Sequence, residues 1–126
     1  MKASFLLMLG LFSASALTGL EQKTPNSVDS PASEFDRNGD GKIDYRVYYG
    51  ERGAIEREEL DFNYDGRMDD FCYYKEGILD REEIDSDFNG AVDIWVYLHQ
   101  GIYIARYEMD RDGDGKPDYT KSFGGN

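Results

Sequence analysis

The sequence is poor in cysteine, histidine and basic residues, and each shortage excludes a class of protein or site. Cys72 has no second cysteine to pair with, so no intramolecular disulfide can hold the chain together. His99 is the only imidazole, which leaves too few nitrogen and sulfur ligands for a zinc or copper site. The 14 Lys and Arg residues face 26 Asp and Glu, for a formal net charge of −12. Nucleic acid and anionic lipid are therefore not expected as partners, because both bind clustered basic side chains.

Signals of catalysis are also missing. The serines lack the spacing of a nucleophile elbow, and Cys72 and His99 form no Cys–His signature. His99 precedes Gln100 and Gly101 in a predicted turn, where an exposed and unreactive imidazole is expected. Disorder is equally unexpected, because aromatic residues make up 14% of the chain. The sequence thus predicts a folded protein that is not an enzyme.

A long apolar run occurs once, near the N-terminus. It extends from Phe5 to Phe12, follows Lys2 and precedes the small-residue pattern Ala14-Ser15-Ala16. That order is typical of a secretory signal peptide, and the run is shorter than the roughly 20 residues that span a bilayer. We therefore predict a signal peptide at residues 1–16, no membrane span, and export to the periplasm or the cell exterior. An uncleaved membrane anchor is the alternative.

The rest of the chain is predicted to form one domain, since about 150 residues per domain is usual. Residues 17–32 contain two prolines and several serines and are predicted to be a flexible lead-in. The domain itself is placed at residues 33–123, and residues 124–126 form a short tail.

A nine-residue pattern occurs four times in this domain. Each copy has Asp at its first and ninth positions, Asp or Asn at the third and fifth, and Gly at the sixth. The copies begin 25, 24 and 25 residues apart, a regularity that indicates repeats of about 25 residues. We name them loop 1 (residues 36–44), loop 2 (61–69), loop 3 (85–93) and loop 4 (110–118).

Alternating carboxylate and amide oxygens around a glycine are the ligands of a hard cation. Calcium takes six to eight oxygens at about 2.3–2.6 Å, and the odd positions of a tightly curled loop point at one centre. The glycine allows the sharp turn, and the seventh residue contributes its backbone carbonyl. Magnesium ranks second, because it keeps several of its waters. The predicted ligands of up to four calcium ions are Asp36, Asn38, Asp40, Lys42 and Asp44; Asp61, Asn63, Asp65, Arg67 and Asp69; Asp85, Asp87, Asn89, Ala91 and Asp93; and Asp110, Asp112, Asp114, Lys116 and Asp118.

These loops resemble EF-hand-type calcium loops, including the shortened forms of dockerins, thrombospondin type 3 repeats and integrin-like propeller repeats. The resemblance covers the nine-residue loops alone. A true EF-hand adds a bidentate Glu at position twelve, on an exiting helix. Here position twelve holds Val47, Cys72, Val96 and Lys121, so that ligand is absent and a helix pair that opens on calcium binding is not expected.

The segments around the loops favour strands over helices. The runs Tyr45–Tyr49, Phe71–Tyr74 and Ile94–Leu98 follow the first three loops and are rich in Tyr, Val, Ile and Trp. After residue 16 the chain has only four Ala and five Leu, few for a helical protein. We therefore predict an all-β fold, an antiparallel meander of about seven or eight short strands with the calcium loops along one side. The turns on the other side contain Gly53, Gly77 and Gly101.

Three groups of residues keep two interpretations each. The glutamates before the loops either contribute to the metal sites or form cross-strand ion pairs with a column of arginines, which precede three of these glutamates by two residues. The repeat-related aromatics either form a stacking platform or pack across strands. Cys72 is either a reactive thiol or a small buried residue. The glutamates are Glu34, Glu59, Glu83 and Glu108; the arginines are Arg57, Arg81 and Arg106; the aromatics are Tyr48, Tyr73, Tyr97 and Trp95.

Together these features predict an exported calcium-binding repeat protein without enzymatic activity. Calcium would rigidify a β scaffold for structural or adhesive interaction, with a cell-surface protein or a glycan as the candidate partner. The alternative is a surface module that binds carbohydrate or peptide through its repeat-related aromatics.

Overall fold

The computed structural model describes residues 33–124, which form one antiparallel sheet of eight strands in chain order. This confirms the predicted all-β meander, while the division into four repeats stays a prediction. The predicted signal peptide, the lead-in and the last two residues of the tail lie outside the described residues. The strands are β1 (Ser33–Phe35), β2 (Tyr45–Tyr49), β3 (Ile55–Leu60), β4 (Asp70–Lys75), β5 (Ile78–Ile84), β6 (Ile94–His99), β7 (Tyr103–Met109) and β8 (Tyr119–Ser122).

Connections alternate between the two ends of the strands, as a meander requires. Loops 1 to 4 join β1 to β2, β3 to β4, β5 to β6 and β7 to β8, and so lie at one end. Tight turns occupy the other end. In two of them consecutive residues have positive φ, Glu76 with Gly77 and Gln100 with Gly101. The first pair forms the two-residue hairpin between β4 and β5, and the second lies in the three-residue connection between β6 and β7. Gly101 also lies against the neighbouring hairpin, where an added Cβ would sit 2.7 Å from a carbon of Ile78.

The register of the sheet places two rows of side chains on opposite faces. Directly paired residues share a face, and the next residue along each strand points to the other one. We call one face the Cys72 face; its central row is Val47, Glu58, Cys72, Glu82, Val96, Tyr107 and Lys121. The other is the Tyr73 face; its row is Tyr48, Arg57, Tyr73, Arg81, Tyr97, Arg106 and Ser122.

Carboxylates outnumber apolar side chains among the buried residues. In the described part of the chain the buried hydrophobic residues are Val47, Tyr48 and Cys72 alone. The sheet is a single layer over that range, so no second layer supplies the apolar contacts of an ordinary core. Hydrophobic burial therefore contributes little, and the buried polar groups must be satisfied by other means. Those groups are Asp44, Glu59, Asp61, Asp69, Asp70, Asp85 and Asp110.

A three-residue contact recurs along the Tyr73 face and holds neighbouring strands together. The guanidinium of Arg57 lies 3.9 Å from the ring centre of Tyr48 on the paired strand, and its nitrogen lies 3.2 Å from Glu59. The Tyr48 hydroxyl donates to the same carboxylate at 3.1 Å. Equivalent contacts join Tyr73, Arg81 and Glu83 and also Tyr97, Arg106 and Glu108.

These contacts show which partners the glutamates before the loops and the repeat-related tyrosines have in this structure. Glu59, Glu83 and Glu108 engage arginine and tyrosine, as in the ion-pair interpretation. The repeating pairs run along one strand, however, because residues two apart share a face. Among these glutamates, cross-strand ion pairs join Glu34 and Glu59 to Arg46. The rings of Tyr48, Tyr73 and Tyr97 each have an arginine stacked on them, so a flat ligand would have to displace a cation–π contact.

Replacing Arg57 with alanine is expected to lower the free energy of unfolding by about 2 kcal/mol, because a cation–π contact and one partner of a buried carboxylate are lost. The equivalent change at Arg106 should lower it by about 1 kcal/mol or less, since that ion pair is more exposed. The side chain of Arg57 is 27% exposed and that of Arg106 is 43% exposed. Urea denaturation in calcium-free buffer measures both; equal losses would contradict a role for burial.

Candidate metal centre

Each loop is closed by hydrogen bonds that its own sequence supplies. In loop 1 the backbone N–H of Asp44 donates to the carbonyl of Phe35 at 2.8 Å, which joins the two ends of the loop. The N–H of Gly41 donates to the Asp36 carboxylate at 2.8 Å, which draws the first and sixth positions together. Gly41 has a φ of 90°, a conformation that glycine adopts without steric cost. The sixth-position contact recurs in the other loops, from Gly66 to Asp61, from Gly90 to Asp85 and from Gly115 to Asp110.

The aspartate at the ninth position braces the start of its loop. Asp44 Oδ2 accepts hydrogen bonds from the backbone N–H of Arg37 at 2.7 Å and from that of Asn38 at 3.2 Å. The same contact from the second position occurs in the other three loops. The pairs are Phe62 with Asp69, Ser86 with Asp93, and Arg111 with Asp118.

The third, fifth and seventh positions lie on the exposed side of the loop. The Asp40 carboxylate accepts a hydrogen bond from the N–H of Lys42 at 2.8 Å, and Asp65 accepts the same bond from Arg67. Such bonds favour the charged form, and they hold the pKa of both carboxyl groups below the usual range. Burial acts the other way at Asp69, whose pKa is raised by desolvation and by the neighbouring Asp61. The outer carboxylates are therefore ready to bind a cation at neutral pH.

Two of the four loops bring three carboxylates close together. In loop 1, oxygens of Asp36, Asp40 and Asp44 all lie within 4.8 Å of one another. Loop 4 achieves the same with three of its aspartates, Asp110, Asp112 and Asp114. Loops 2 and 3 bring no three acidic groups this close in the described range. The structure therefore supports a cation site of acidic groups at loops 1 and 4, whereas the full set of twenty predicted ligands stays a prediction.

Among the residues that the structure describes, two buried carboxylate oxygens lack any hydrogen-bond partner, Oδ1 of Asp44 and Oδ1 of Asp61. Asp44 is 2% exposed and Asp61 is 3% exposed. A buried, charged oxygen without a partner is costly, and a bound cation removes that cost. Both residues belong to the predicted ligand sets, at the ninth position of loop 1 and the first position of loop 2.

The four loops form a row along one end of the sheet. The carbonyl of Asp44 accepts a hydrogen bond from the N–H of Asp61 at 2.8 Å, so the end of loop 1 adjoins the start of loop 2. Corresponding bonds link loop 2 to loop 3 and loop 3 to loop 4. They run from Asp85 to Asp69 at 2.8 Å and from Asp110 to Asp93 at 2.9 Å.

One further cluster lies on the Cys72 face, and sequence reasoning missed it. Asp70, Cys72 and Glu82 offer ligand atoms within 4.8 Å of one another. Burial and the adjacent Glu82 raise the pKa of Asp70 to about 7, and burial raises the pKa of the Cys72 thiol to about 12. Cys72 is thus a buried, protonated thiol, as the buried interpretation expected, and not a reactive thiolate. Only the pairing of Cys72 with Glu82 across β4 and β5 reveals the cluster.

A second carboxylate on the same face is held by tyrosines. The hydroxyls of Tyr45 and Tyr74 both donate to Glu58. Desolvation and this hydrogen bond raise the pKa of Tyr45 to about 12. His99, the lone imidazole, is exposed at the end of β6, as expected from its position beside a turn.

Comparison with known proteins adds little to this geometry. No protein-family model and no curated protein matches the chain. A crystal structure of accessory secretory protein 1, 2 and 3 from Streptococcus pneumoniae is similar, with 19% sequence identity and a TM-score of 0.47. The match covers 59% of this chain and 14% of that chain. A similarity at this level identifies neither a family nor a function. In residues 33–124 no helix has the length and apolar character needed to cross a membrane.

Proposed function

We propose that this chain is a non-enzymatic calcium-binding protein in which the bound ions rigidify a single-layer β scaffold. The observation that carries the proposal is Asp44, a buried carboxylate with an unpartnered oxygen in a cluster of three aspartates. A hard cation at that position satisfies the oxygen and relieves the repulsion among the three negative groups.

The donor set favours calcium over other metals. In loop 1 the ion would be held by oxygens of Asp36, Asn38, Asp40 and Asp44 and by the carbonyl of Lys42, an all-oxygen set typical of calcium. Zinc and copper would need nitrogen or sulfur ligands, and Cys72 and His99 lie outside the loops. Magnesium demands near-ideal octahedral geometry and keeps several waters, so it is the weaker candidate.

The resemblance to EF-hand-type loops belongs to the same proposal, with one difference that lowers the expected affinity. Position twelve of all four loops falls on the central row of the Cys72 face, and none of its four residues is acidic. Without a bidentate Glu the loops have fewer ligand charges, and dissociation constants of roughly 10⁻⁴–10⁻³ M, as in extracellular modules, are expected. That range suits an exported protein, which is the predicted location.

A scaffold role follows from the small core. Calcium that binds only the folded chain adds stability by mass action. Because few apolar residues are buried, hydrophobic burial contributes little stability, and the contribution of calcium is correspondingly important. Four divalent ions would also cancel eight negative charges out of a net charge of −12. Reduced repulsion would then favour contact with a partner, for which a cell-surface protein or a glycan remains the prediction.

Native mass spectrometry of the purified chain tests the proposal. In millimolar calcium we expect two to four bound ions, and the same samples should melt at higher temperature with calcium than with a chelator. Magnesium at equal concentration should give lower occupancy and a smaller shift in melting temperature. A chain that takes up no calcium at millimolar concentration, or melts identically in both buffers, would overturn the proposal.

A further inference from the structure

The seventh residue of loop 1 extends its side chain onto loop 2. Lys42 Nζ donates a hydrogen bond to the backbone carbonyl of Asp65 at 2.9 Å. Its aliphatic part lies over Gly66, where an added Cβ would sit 3.0 Å from Lys42 Cδ. The ammonium group therefore lies among the fifth- and sixth-position residues of the neighbouring loop, beside a predicted calcium ligand.

The side chain of Arg67, the seventh residue of loop 2, extends onto loop 3 in the same way. A Cβ added to Gly90 would sit 3.1 Å from a guanidinium nitrogen of Arg67. The row of loops brings the seventh positions of loops 1 and 2 opposite the sixth-position glycine of the next loop. Loops 2 and 3 thus each carry a cationic side chain from the loop before them.

Within residues 33–124, loops 1 and 4 have no such cationic side chain over their sixth-position glycines, because a Cβ added to Gly41 or Gly115 would meet nothing within 4 Å. Residues 1–35 of the sequence contain no further copy of the nine-residue pattern, and the seventh residue of loop 3 is Ala91, which is too short to reach loop 4. These two loops are also the ones whose carboxylates converge within 4.8 Å. Loops 1 and 4 therefore differ from loops 2 and 3 in two independent features: their carboxylates converge, and no cationic side chain from another loop covers them.

We infer that Lys42 and Arg67 are built-in counter-cations that lower the calcium affinity of loops 2 and 3 below that of loops 1 and 4. The inference rests on the proposed calcium binding. Each covering side chain repels an incoming divalent ion, and Lys42 must either leave the Asp65 carbonyl or remain beside the bound calcium. Loop 2 remains a site all the same, because the buried Oδ1 of Asp61 has no partner there. As the calcium concentration rises, loops 1 and 4 would thus bind calcium first and loops 2 and 3 second.

A loop-resolved NMR titration of the full chain with calcium tests this inference. The amide signals of the sixth-position glycines report each loop separately, because their N–H groups bond the first-position carboxylates. In the parent protein, Gly41 and Gly115 should reach their midpoints at lower calcium than Gly66 and Gly90. In Lys42→Met the Gly66 midpoint should fall by about 3- to 10-fold, since one repelling charge is removed at short range.

Lys75→Met is the matched control, because it removes the same charge from an exposed side chain that pairs with Asp80 at the opposite end of the strands from the loops. This control should leave the Gly66 midpoint where it is in the parent. An equal shift in both variants would show a general effect of net charge and overturn the inference, as would an unchanged Gly66 midpoint in Lys42→Met. Those outcomes leave calcium binding itself intact, whereas the absence of any calcium-dependent shift in the parent would overturn the proposed function.

Discussion

Asp44→Asn is expected to weaken calcium binding at loop 1 by on the order of 10- to 100-fold while the fold is retained. The amide keeps one oxygen, which can still accept the hydrogen bonds that Asp44 receives from Arg37 and Asn38. It lacks the charge, and its NH₂ group cannot ligate a cation. Without calcium, the free energy of unfolding should change by less than about 1 kcal/mol, because a buried charge is removed along with its stronger hydrogen bonds.

Calcium titration followed at the Gly41 amide, together with urea denaturation, measures both effects. Asp80→Asn is the control, since it makes the same chemical change at an exposed ion pair with Lys75, far along the strands from the loops. That variant should bind calcium at loop 1 as the parent does. Unaltered loop 1 affinity in Asp44→Asn would contradict the assignment of Asp44 as a ligand.

Asp70→Asn is expected to remove a pH-dependent loss of stability. In the parent protein, ionisation of Asp70 should lower the free energy of unfolding by about 2–4 kcal/mol between pH 4 and pH 7. The pKa of Asp70 is raised from 3.8 to about 7 in the folded protein, chiefly by burial and then by Glu82. The folded state therefore holds the proton more tightly than the unfolded state does. Its contribution to stability is fully present below pH 4, is lost as pH rises towards 7, and stays lost above that. A pKa raised from 3.8 to about 7 corresponds to about 4 kcal/mol at most.

Urea denaturation in calcium-free buffer at several pH values between 4 and 8 measures this dependence. Asp70→Asn, which cannot ionise, should be more stable than the parent at pH 8 and similar to it at pH 4. Asp80→Asn should keep the slope of the parent, because that carboxylate is exposed. A parent whose stability rises steadily between pH 5 and pH 7 with the same slope as Asp70→Asn would contradict a buried, protonated Asp70.

Contacts between residues close in sequence could be predicted, and contacts that depend on register could not. The order of strands and the placement of loops 1 to 4 followed from alternating segments joined by short connections. The pairing of Arg57 with Glu59 could also be predicted from the sequence, since residues two apart on a strand share a face. The stacking of Arg57 on Tyr48 could not be predicted, because that contact depends on the observed pairing between β2 and β3.

The sequence by itself determined the oxygen-rich loops, because the groups that would surround an ion lie within nine residues and the backbone of so short a segment has few ways to curl. Tertiary structure alone decided which loops gather three carboxylates, where Asp70 meets Glu82, and that Lys42 covers the loop after its own. Asp70 and Glu82 lie on different strands, and Lys42 and Asp65 lie in different loops. A shift of one residue in the pairing of β4 with β5 would move Asp70 and Glu82 to opposite faces of the sheet.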